Sequence, residues 1–431
     1  MERRPSRSPA PKRSPAEPPQ GRILLATALE MGRLVNEALG RAGLGEGAVV
    51  GDARRGVELV RDLAMLLRSP VEAAAVAAAL GKIAACSSVE IVDASAVRAR
   101  FEGGGPALIR IVPPAGWVEA LLRGTGSAAH VRWLSTAAAG QGGLGAVCKA
   151  SRTEDAVYAA LGLPYAPPEL REGPTRRVPE LVESVTGVFH VHTTWSDGAA
   201  TIADMAQAAK DAGFAYVGIT EHSKAASYAG GLDAGKLRQQ ARAVAQAGKA
   251  VAGVTLLHGV EVDVMLDGTL DLDDATLASL DFVIASVHVG LEMSARDMTS
   301  RLLRAVRHPL VTILGHPTGR LLLGRKASPF DVEAVAAAAA RNDTFLEINA
   351  NPQRLDLGED LVRRAAAEGA RFAIDPDAHS TRGLRDTGLG ISVARRAGLA
   401  PSQVLNARDT ADVVSYLATR RRKAKRTLAI A

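Results

Sequence analysis

The sequence predicts an α/β protein whose C-terminal half is built on parallel strands, preceded by a smaller region of mixed helices and strands. Three observations carry this. From residue 186 onward, short β-branched or aromatic runs alternate regularly with amphipathic helical stretches. Histidines and carboxylates recur where those runs end. The chain has 431 residues, 47% of them hydrophobic, which is enough for more than one core.

The elements follow in order. Residues 1–20 are rich in Pro, Ser and Arg and are expected to form a disordered basic tail. Over 21–165 the pattern predicts an amphipathic helix at 29–43 and strands at 48–51, 62–67, 88–92 and 107–112. The charged, Pro-rich stretch 164–180 reads as linker, which sets the divisions at 21–165, a linker over 166–185, a main unit over 186–418 and a basic tail over 419–431. Within the main unit, strands are expected at 188–192, 216–220, 255–264, 282–288, 311–316, 345–349 and 372–374. Helices are expected at 201–212, 232–247, 295–306, 331–341 and 359–368, the first with Thr201 and Asp204 spaced as a capping box. Repeated strand–helix units imply parallel strands, and this many suggest a barrel.

Composition excludes several classes. Two cysteines, Cys86 and Cys148, cannot build a disulfide framework or a Cys-based metal site, and they point to a reducing compartment. No apolar run approaches membrane-spanning length, and the charged N-terminus lacks the apolar stretch of a signal peptide, so a cytoplasmic protein without membrane contact is expected. The net charge of +6 is unevenly placed. Residues 1–20 carry +3 and the run RRRKAKR at 420–426 carries +6, so the body between them is about −3. Such tails either hold a polyanion through counterion release or are simply solvated ends.

Barrel enzymes assemble their sites at the C-terminal ends of strands. His190 and His192 end the first predicted strand, Glu221 and His222 the second, and Glu261 lies late in the third. His288 and His316 end the fourth and fifth, and Asp377 and His379 follow the last. Strand alternation puts the rings of His190 and His192 on one side, where they can grip one ion. Imidazole and carboxylate together suit Zn²⁺, Mn²⁺ and Fe²⁺. A carboxylate such as Glu261 can bridge two ions, and paired ions suit in-line displacement at phosphorus. An isolated His-x-His is a weak signal, and His258 and His308 read as packed or surface residues. Six of nine histidines at strand ends in one unit, with carboxylates beside them, form a metal centre far more readily than a packing pattern.

The stretch FHVHTTWSDG resembles the first motif of the PHP (polymerase and histidinol phosphatase) domain, and ITEHS, GVEVD, SVH, GHP and DAH resemble its later motifs in the same order. GHPTGRLLLGR, LEINANPQRLDL and DAHSTRGL are most similar to the PHP domain at the C-terminus of bacterial family X DNA polymerases. The resemblance implies a distorted (β/α)7 barrel holding three divalent cations. It implies that His190, His192, Glu261 and Asp377 hold one ion, that Glu261, His288 and His316 hold a second, and that Asp197, His222 and His379 hold the third. Asp197 enters only through the resemblance; alone it reads as a turn aspartate. Glu221 stands where the family usually has Asp, and Val188-Phe189 replaces its usual Asp-Leu.

The region before the linker resembles the α+β nucleotidyltransferase palm of the same polymerases. VVGDARRGVELVRDLAMLL, IRIVPP, TGSAAH and RTEDAVYAALGLPYAPPELREG carry that likeness. Such polymerases need three carboxylates for two Mg²⁺ ions. Asp62 matches the first, but Ala64 and Leu108 stand at the other two, so no DNA polymerisation is expected. Arg54, Arg55 and His130 either touch phosphates or make structural contacts.

The function expected is hydrolysis of a phosphate ester, with Glu261, Asp377 and His222 as catalytic groups and Lys224, Arg320 and Arg354 as phosphate clamps or surface cations. The resemblance favours a Mn²⁺-dependent 3′–5′ exonuclease or DNA-end phosphatase acting on 3′ ends or gaps. A phosphatase for small phosphomonoesters and a non-catalytic DNA-binding scaffold are the alternatives. The sequence leaves the oligomeric state open.

Overall fold

The computed structural model describes residues 21–429. The tail expected over 1–20 lies outside them. In the N-terminal part, β1 (Ile23–Leu24) leads into α1 (Leu25–Arg41), followed by β2 (Gly47–Val50), α2 (Gly51–Arg54), β3 (Leu59–Val60) and β4 (Leu63–Arg68). Then come α3 (Ala73–Leu80), β5 (Cys86–Asp93), β6 (Ala96–Phe101) and β7 (Gly105–Val112). Helices α4 (Trp117–Thr125), α5 (Ala128–Ala137), α6 (Leu144–Ala150) and α7 (Glu154–Ala160) complete it. The sheet runs β2-β4-β7-β6-β5, with β4 and β7 parallel and the other neighbours antiparallel. Strand β6 was not anticipated, although AVRARF alternates buried and exposed positions over most of its length. Its neighbour β5 carries mostly exposed residues and pairs with it through two register shifts.

The segment expected to be a linker is packed. Arg171 is fully buried, donates to the carbonyl of Ala166 at 2.8 Å and pairs with Glu154 at 2.5 Å. Its guanidinium also lies 5.6 Å from the ring centroids of both Tyr158 and Tyr165. Farther on, Val182 is buried and its N–H donates to Leu399.

The C-terminal part alternates as expected. It comprises β8 (Gly187–Val188), α8 (Ile202–Asp211), β9 (Tyr216–Ile219), α9 (Ala234–Ala250), β10 (Thr255–His258), β11 (Glu261–Asp263) and α10 (Asp274–Ser279). Next are β12 (Ile284–Ser286), α11 (Ala295–Val306), β13 (Ile313–Leu314), α12 (Val332–Arg341), β14 (Phe345–Asn349), α13 (Glu359–Ala367), β15 (Arg371–Asp375), α14 (Thr387–Ala397) and α15 (Thr410–Leu428). The capping box at Thr201 and Asp204 is present.

Two parallel sheets carry these strands, β10-β9-β8 and β11-β12-β13-β14-β15. Two parallel bridges join them, His222 to Glu261 and Val191 to Ala378. The strand expected over 255–264 is two strands because the chain shifts partners at Gly259. A Cβ there would lie 2.6 Å from the ring of Phe282, and one at Gly218 would lie 2.5 Å from it, so the ring seats against two bare backbones. That ring belongs to a core of Phe189, Tyr216, Leu257, Ile284, Ile313, Phe345 and Ala373, closed by Leu405, Val413 and Leu417. This apolar cluster fills the space beneath the strand ends.

The basic tail expected over 419–431 needs correction. Residues 419–428 continue α15, and 430–431 lie outside the described residues. Arg420 is buried and donates to the carbonyls of Asp343 at 3.1 Å, Pro309 at 3.0 Å and Val311 at 2.5 Å. Arg421 pairs with Asp281 at 2.9 Å. A charge run alone does not reveal this, since whether a guanidinium meets enough carbonyls to offset its burial is decided by tertiary placement.

Candidate metal centre

All nine residues expected as ligands converge at the C-terminal ends of the parallel strands. His190 and His192 follow β8 on either side of the Val191 bridge, with ring centroids 5.1 Å apart. Glu261 opens β11 and is completely buried. Five imidazoles surround it: His222 Nδ1 at 2.7 Å, His316 Nε2 at 2.9 Å, His190 Nε2 and His288 Nε2 at 3.3 Å, and His192 Nε2 at 3.6 Å. Asp377 lies 3.5 Å from His190, 3.4 Å from His192 and 3.7 Å from His379. Asp197 lies 3.8 Å from His192, 3.5 Å from His222 and 3.6 Å from His379.

Donor atoms within 4.8 Å of one another form four overlapping groups: His192, Asp197, His222 and His379; His190, His192 and Glu261; His190, His316 and Asp377; and His222, Glu261 and His288. The first contains the whole expected Asp197 set and adds His192. Asp377 groups with His190 and His316 rather than with Glu261. His316 reaches Glu261 but does not fall in the group of His222 and His288.

The donor chemistry fits divalent cations. Buried polar atoms are normally paired, because an unpaired one costs about 1–3 kcal/mol. Here His190 Nε2, both ring nitrogens of His192, His222 Nδ1, His316 Nδ1 and Glu261 Oε2 are buried without a hydrogen-bond partner. His222 Nδ1 is close to Glu261 yet not aligned as a hydrogen bond, which suits two groups sharing one ion. Burial works to raise the Glu261 carboxyl, but His288, His190 and His222 outweigh it and hold it well below the ordinary value. Burial, reinforced by His222, drives His192 down to about 3, so it is a neutral donor. Two of the expected ligands also sit in left-handed backbone, His316 at φ 24° and Asp377 at φ 50°, a conformation that costs energy for non-glycine residues.

Three carboxylates, Glu347, Asp263 and Glu221, hold the expected ligands in place, and of these only Glu221 is singled out from the sequence. Glu347 accepts from His190 Nδ1 at 2.6 Å and from the N–H of His316 at 2.6 Å. Asp263 faces His288 Nδ1 at 2.9 Å. Glu221 accepts from the N–H of Thr193 at 3.1 Å, from its hydroxyl at 2.5 Å and from Ser196, and so ties down the turn that carries Asp197. Gln240 donates to Glu221 at 3.2 Å and faces His258 at 3.0 Å. A buried Glu inside the apolar strand FLEIN, and an Asp two residues beyond Glu261 on the same face, were the available signals.

The cations divide. Arg354 Nε lies 3.3 Å from Asp377, inside the centre. Lys224 is exposed on the loop after His222. Arg320, expected as a phosphate clamp, does not reach the centre: it pairs with Glu58 and binds the backbone behind Arg354. His308 pairs with Asp274 at 3.1 Å at the other end of the strands. Arg54, Arg55 and His130 are engaged structurally. Arg54 pairs with Glu154 at 2.5 Å, and Arg55 bonds the carbonyl of Thr125 at 2.7 Å and Glu172 at 2.9 Å. His130 is buried between the carbonyl of Gly173 and the Tyr158 hydroxyl, both at 2.7 Å.

Parallel strands with this many imidazoles and carboxylates at their ends have the build of a metal-dependent hydrolase. The family described as PHP domain matches residues 189–351. The chain is 39% identical to DNA polymerase/3′-5′ exonuclease PolX of Bacillus subtilis over 272 residues, 62% of this chain and 48% of that one. It is 32% identical over 183 residues to a probable phosphatase of Thermoanaerobacter sp., covering 40% of this chain and 72% of that one. A probable phosphatase of Acetivibrio thermocellus is 30% identical over 200 residues, covering 44% and 78%. The chain belongs to the PHP family and is a hydrolytic enzyme; it spans about half the length of the Bacillus subtilis relative. Among the described residues, no helix is long and apolar enough to cross a membrane.

Proposed function

We propose that this enzyme is a Mn²⁺-dependent 3′–5′ exonuclease or DNA-end phosphatase, without DNA polymerase activity, acting in the cytoplasm. The observation that carries the proposal is the ring of five imidazoles around the buried carboxylate of Glu261. Three cations would be held, one by His190, His192, Glu261 and Asp377, one by Glu261, His288 and His316, and one by Asp197, His222 and His379. Mn²⁺, Zn²⁺ or Fe²⁺ suits these donors. When bound, such ions supply Lewis acidity and water activation for displacement at phosphorus. The chain does the rest. Glu261 is shared between two donor groups and fixes their spacing, while Asp377 lies against His190 and His192. His222 stands between Glu261 and Asp197. Arg354 offers its guanidinium to a phosphoryl oxygen, with Lys224 as a looser second cation.

The strands are read as a distorted (β/α)7 barrel in which β10 and β11 act as one bent strand; the bridges His222–Glu261 and Val191–Ala378 support closure. The N-terminal part is read as a nucleotidyltransferase-like unit, with domain limits at 21–165 and 186–418. Ala64 on β4 and Leu108 on β7 are directly paired in register. The two missing carboxylates would therefore have stood side by side, and the pair that replaces them offers no ligand for Mg²⁺. The small-ester reading retains support because probable phosphatases match most of their own length to this chain.

A substrate panel tests these readings. Protein loaded with Mn²⁺ is offered a labelled single strand, a gapped duplex, a 3′-phosphorylated end and p-nitrophenyl phosphate, beside a His190→Ala/His192→Ala control. Stepwise shortening from the 3′ end, or loss of the 3′-phosphate, supports the DNA reading, and hydrolysis of the small ester alone supports the other. Retention of DNA with no cleavage would reject both. Incorporation of dNTPs in a primer-extension assay would refute the absence of polymerase activity.

A further inference from the structure

We infer that Glu58, in the N-terminal part, is a positioning residue for Arg354 at the metal centre and acts through Arg320. The inference rests on the phosphoesterase reading of that centre and gives the N-terminal part a role in it.

The contacts form an unbroken path. Glu58 grips Arg320 with both carboxylate oxygens, at 2.5 and 3.3 Å. Arg320 turns its remaining donors onto backbone: Nε donates to the carbonyl of Arg354 at 2.9 Å, and Nη2 also donates to the carbonyl of Leu355. The guanidinium lies against Gly358, where a Cβ would come within 2.9 Å of its nitrogens. Leu355 itself holds a left-handed φ of 42°, so the loop is fixed in a conformation it would not keep alone. From that fixed backbone the Arg354 side chain reaches Asp377 at 3.3 Å. Leu322 N–H donates to Gln353 at 2.6 Å and Thr318 N–H to buried Asp356 at 3.1 Å, which joins the loop of Arg320 to the loop of Arg354.

Arg320 and Arg354 are mostly buried, with side chains 16% and 18% exposed. A guanidinium with that little solvent needs its counter-charge, and the only carboxylate paired with Arg320 among the described residues comes from across the junction. The junction is held independently by Arg395 with Glu169 at 2.7 Å and by Arg396 with Glu172 at 3.1 Å and with the carbonyl of Arg55 at 2.8 Å. Losing Glu58 thus leaves the two parts docked while releasing Arg320, and with it the carbonyls that aim Arg354.

The test uses the full chain loaded with Mn²⁺ and two readouts: calorimetric affinity for inorganic phosphate, and KM with kcat on the best substrate of the panel. The expected result is that Glu58→Gln weakens phosphate binding and raises KM three- to tenfold with kcat changed less than twofold. Glu58→Asp should recover most of the loss. In an Arg354→Ala background, Glu58→Gln should add nothing, because the two act in series. Equal losses with and without Arg354, or no loss in either background, would overturn the inference. Failure of the wild-type protein to hydrolyse any phosphoester would instead reject the phosphoesterase reading, and the phosphate titration separates the two cases.

Discussion

Nδ1 of His190 lies 2.6 Å from a carboxylate oxygen of Glu347, with both side chains fully buried. That bond fixes the ring so that Nε2 faces Glu261 and Asp377. Carboxylates behind a metal-binding imidazole typically contribute about 10–100-fold in affinity or activity. Glu347→Gln is expected to lower the Mn²⁺ affinity or the hydrolytic rate by that factor, as measured by metal titration and initial rates. An unchanged affinity and rate would show that His190 is held by other means.

Metal removal should soften the C-terminal part. Ions that bind only the folded chain stabilise it by about 2.7 kcal/mol per independent site at a hundredfold excess over Kd. Exhaustive chelation is expected to lower Tm by several degrees in calorimetry, and added Mn²⁺ should restore it. His190→Ala/His192→Ala should blunt the response. Superimposable melts with and without chelator would count against a cation cluster.

Acid should loosen the N-terminal part through Glu154. Burial works to raise this carboxyl, but Arg54 and Arg171 outweigh it and hold it below its ordinary value of 4.5. Because the folded value is the lower one, the stabilisation is complete above about 4.5 and is lost as pH falls through the folded value. Glu154→Gln leaves Arg171 buried and under-paired, so a loss of about 3–5 kcal/mol is expected at neutral pH. Urea unfolding followed from pH 7 to pH 3 should show the difference between variant and wild type shrinking with acidity. A constant difference would mean that the charge is not what matters.

Arg420→Met keeps the buried stem but removes the donors to the carbonyls of Asp343, Pro309 and Val311. An unsatisfied buried acceptor costs about 1–3 kcal/mol. A clear fall in Tm is expected, with unchanged Mn²⁺ affinity because these carbonyls lie at the strand ends away from the ligands. A wild-type Tm would argue that water replaces the guanidinium.

The main unit was legible because its strands and its chemistry share one rhythm. Six of the seven predicted strands end near an imidazole or carboxylate, so the elements and the expected ligands were found together, and Asp197 followed from motif likeness alone. What escaped depends on burial. Glu347 and Asp263 act by facing a particular ring nitrogen, and only tertiary placement makes a strand carboxylate a partner. Arg320 stands in a motif with a catalytic look, yet its direction is set by Glu58, 262 residues away. The run 164–180 has linker composition, but Arg171 found a buried carboxylate and two tyrosines. The basic run was read by its net charge, whereas two of its arginines are consumed by the fold.

Helix α15 binds segments that precede β12, β13 and β14, whereas His288 and His316 follow β12 and β13. Its exposed Arg422, Lys423 and Arg426 therefore look out on the opposite pole of the unit from the candidate metal centre. A polyanion anchored there would have to travel around the flank before its terminus met the ions. Retention and turnover would then scale differently with oligonucleotide length: short fragments would be cut without feeling the helix, and only longer ones would become salt-sensitive through it.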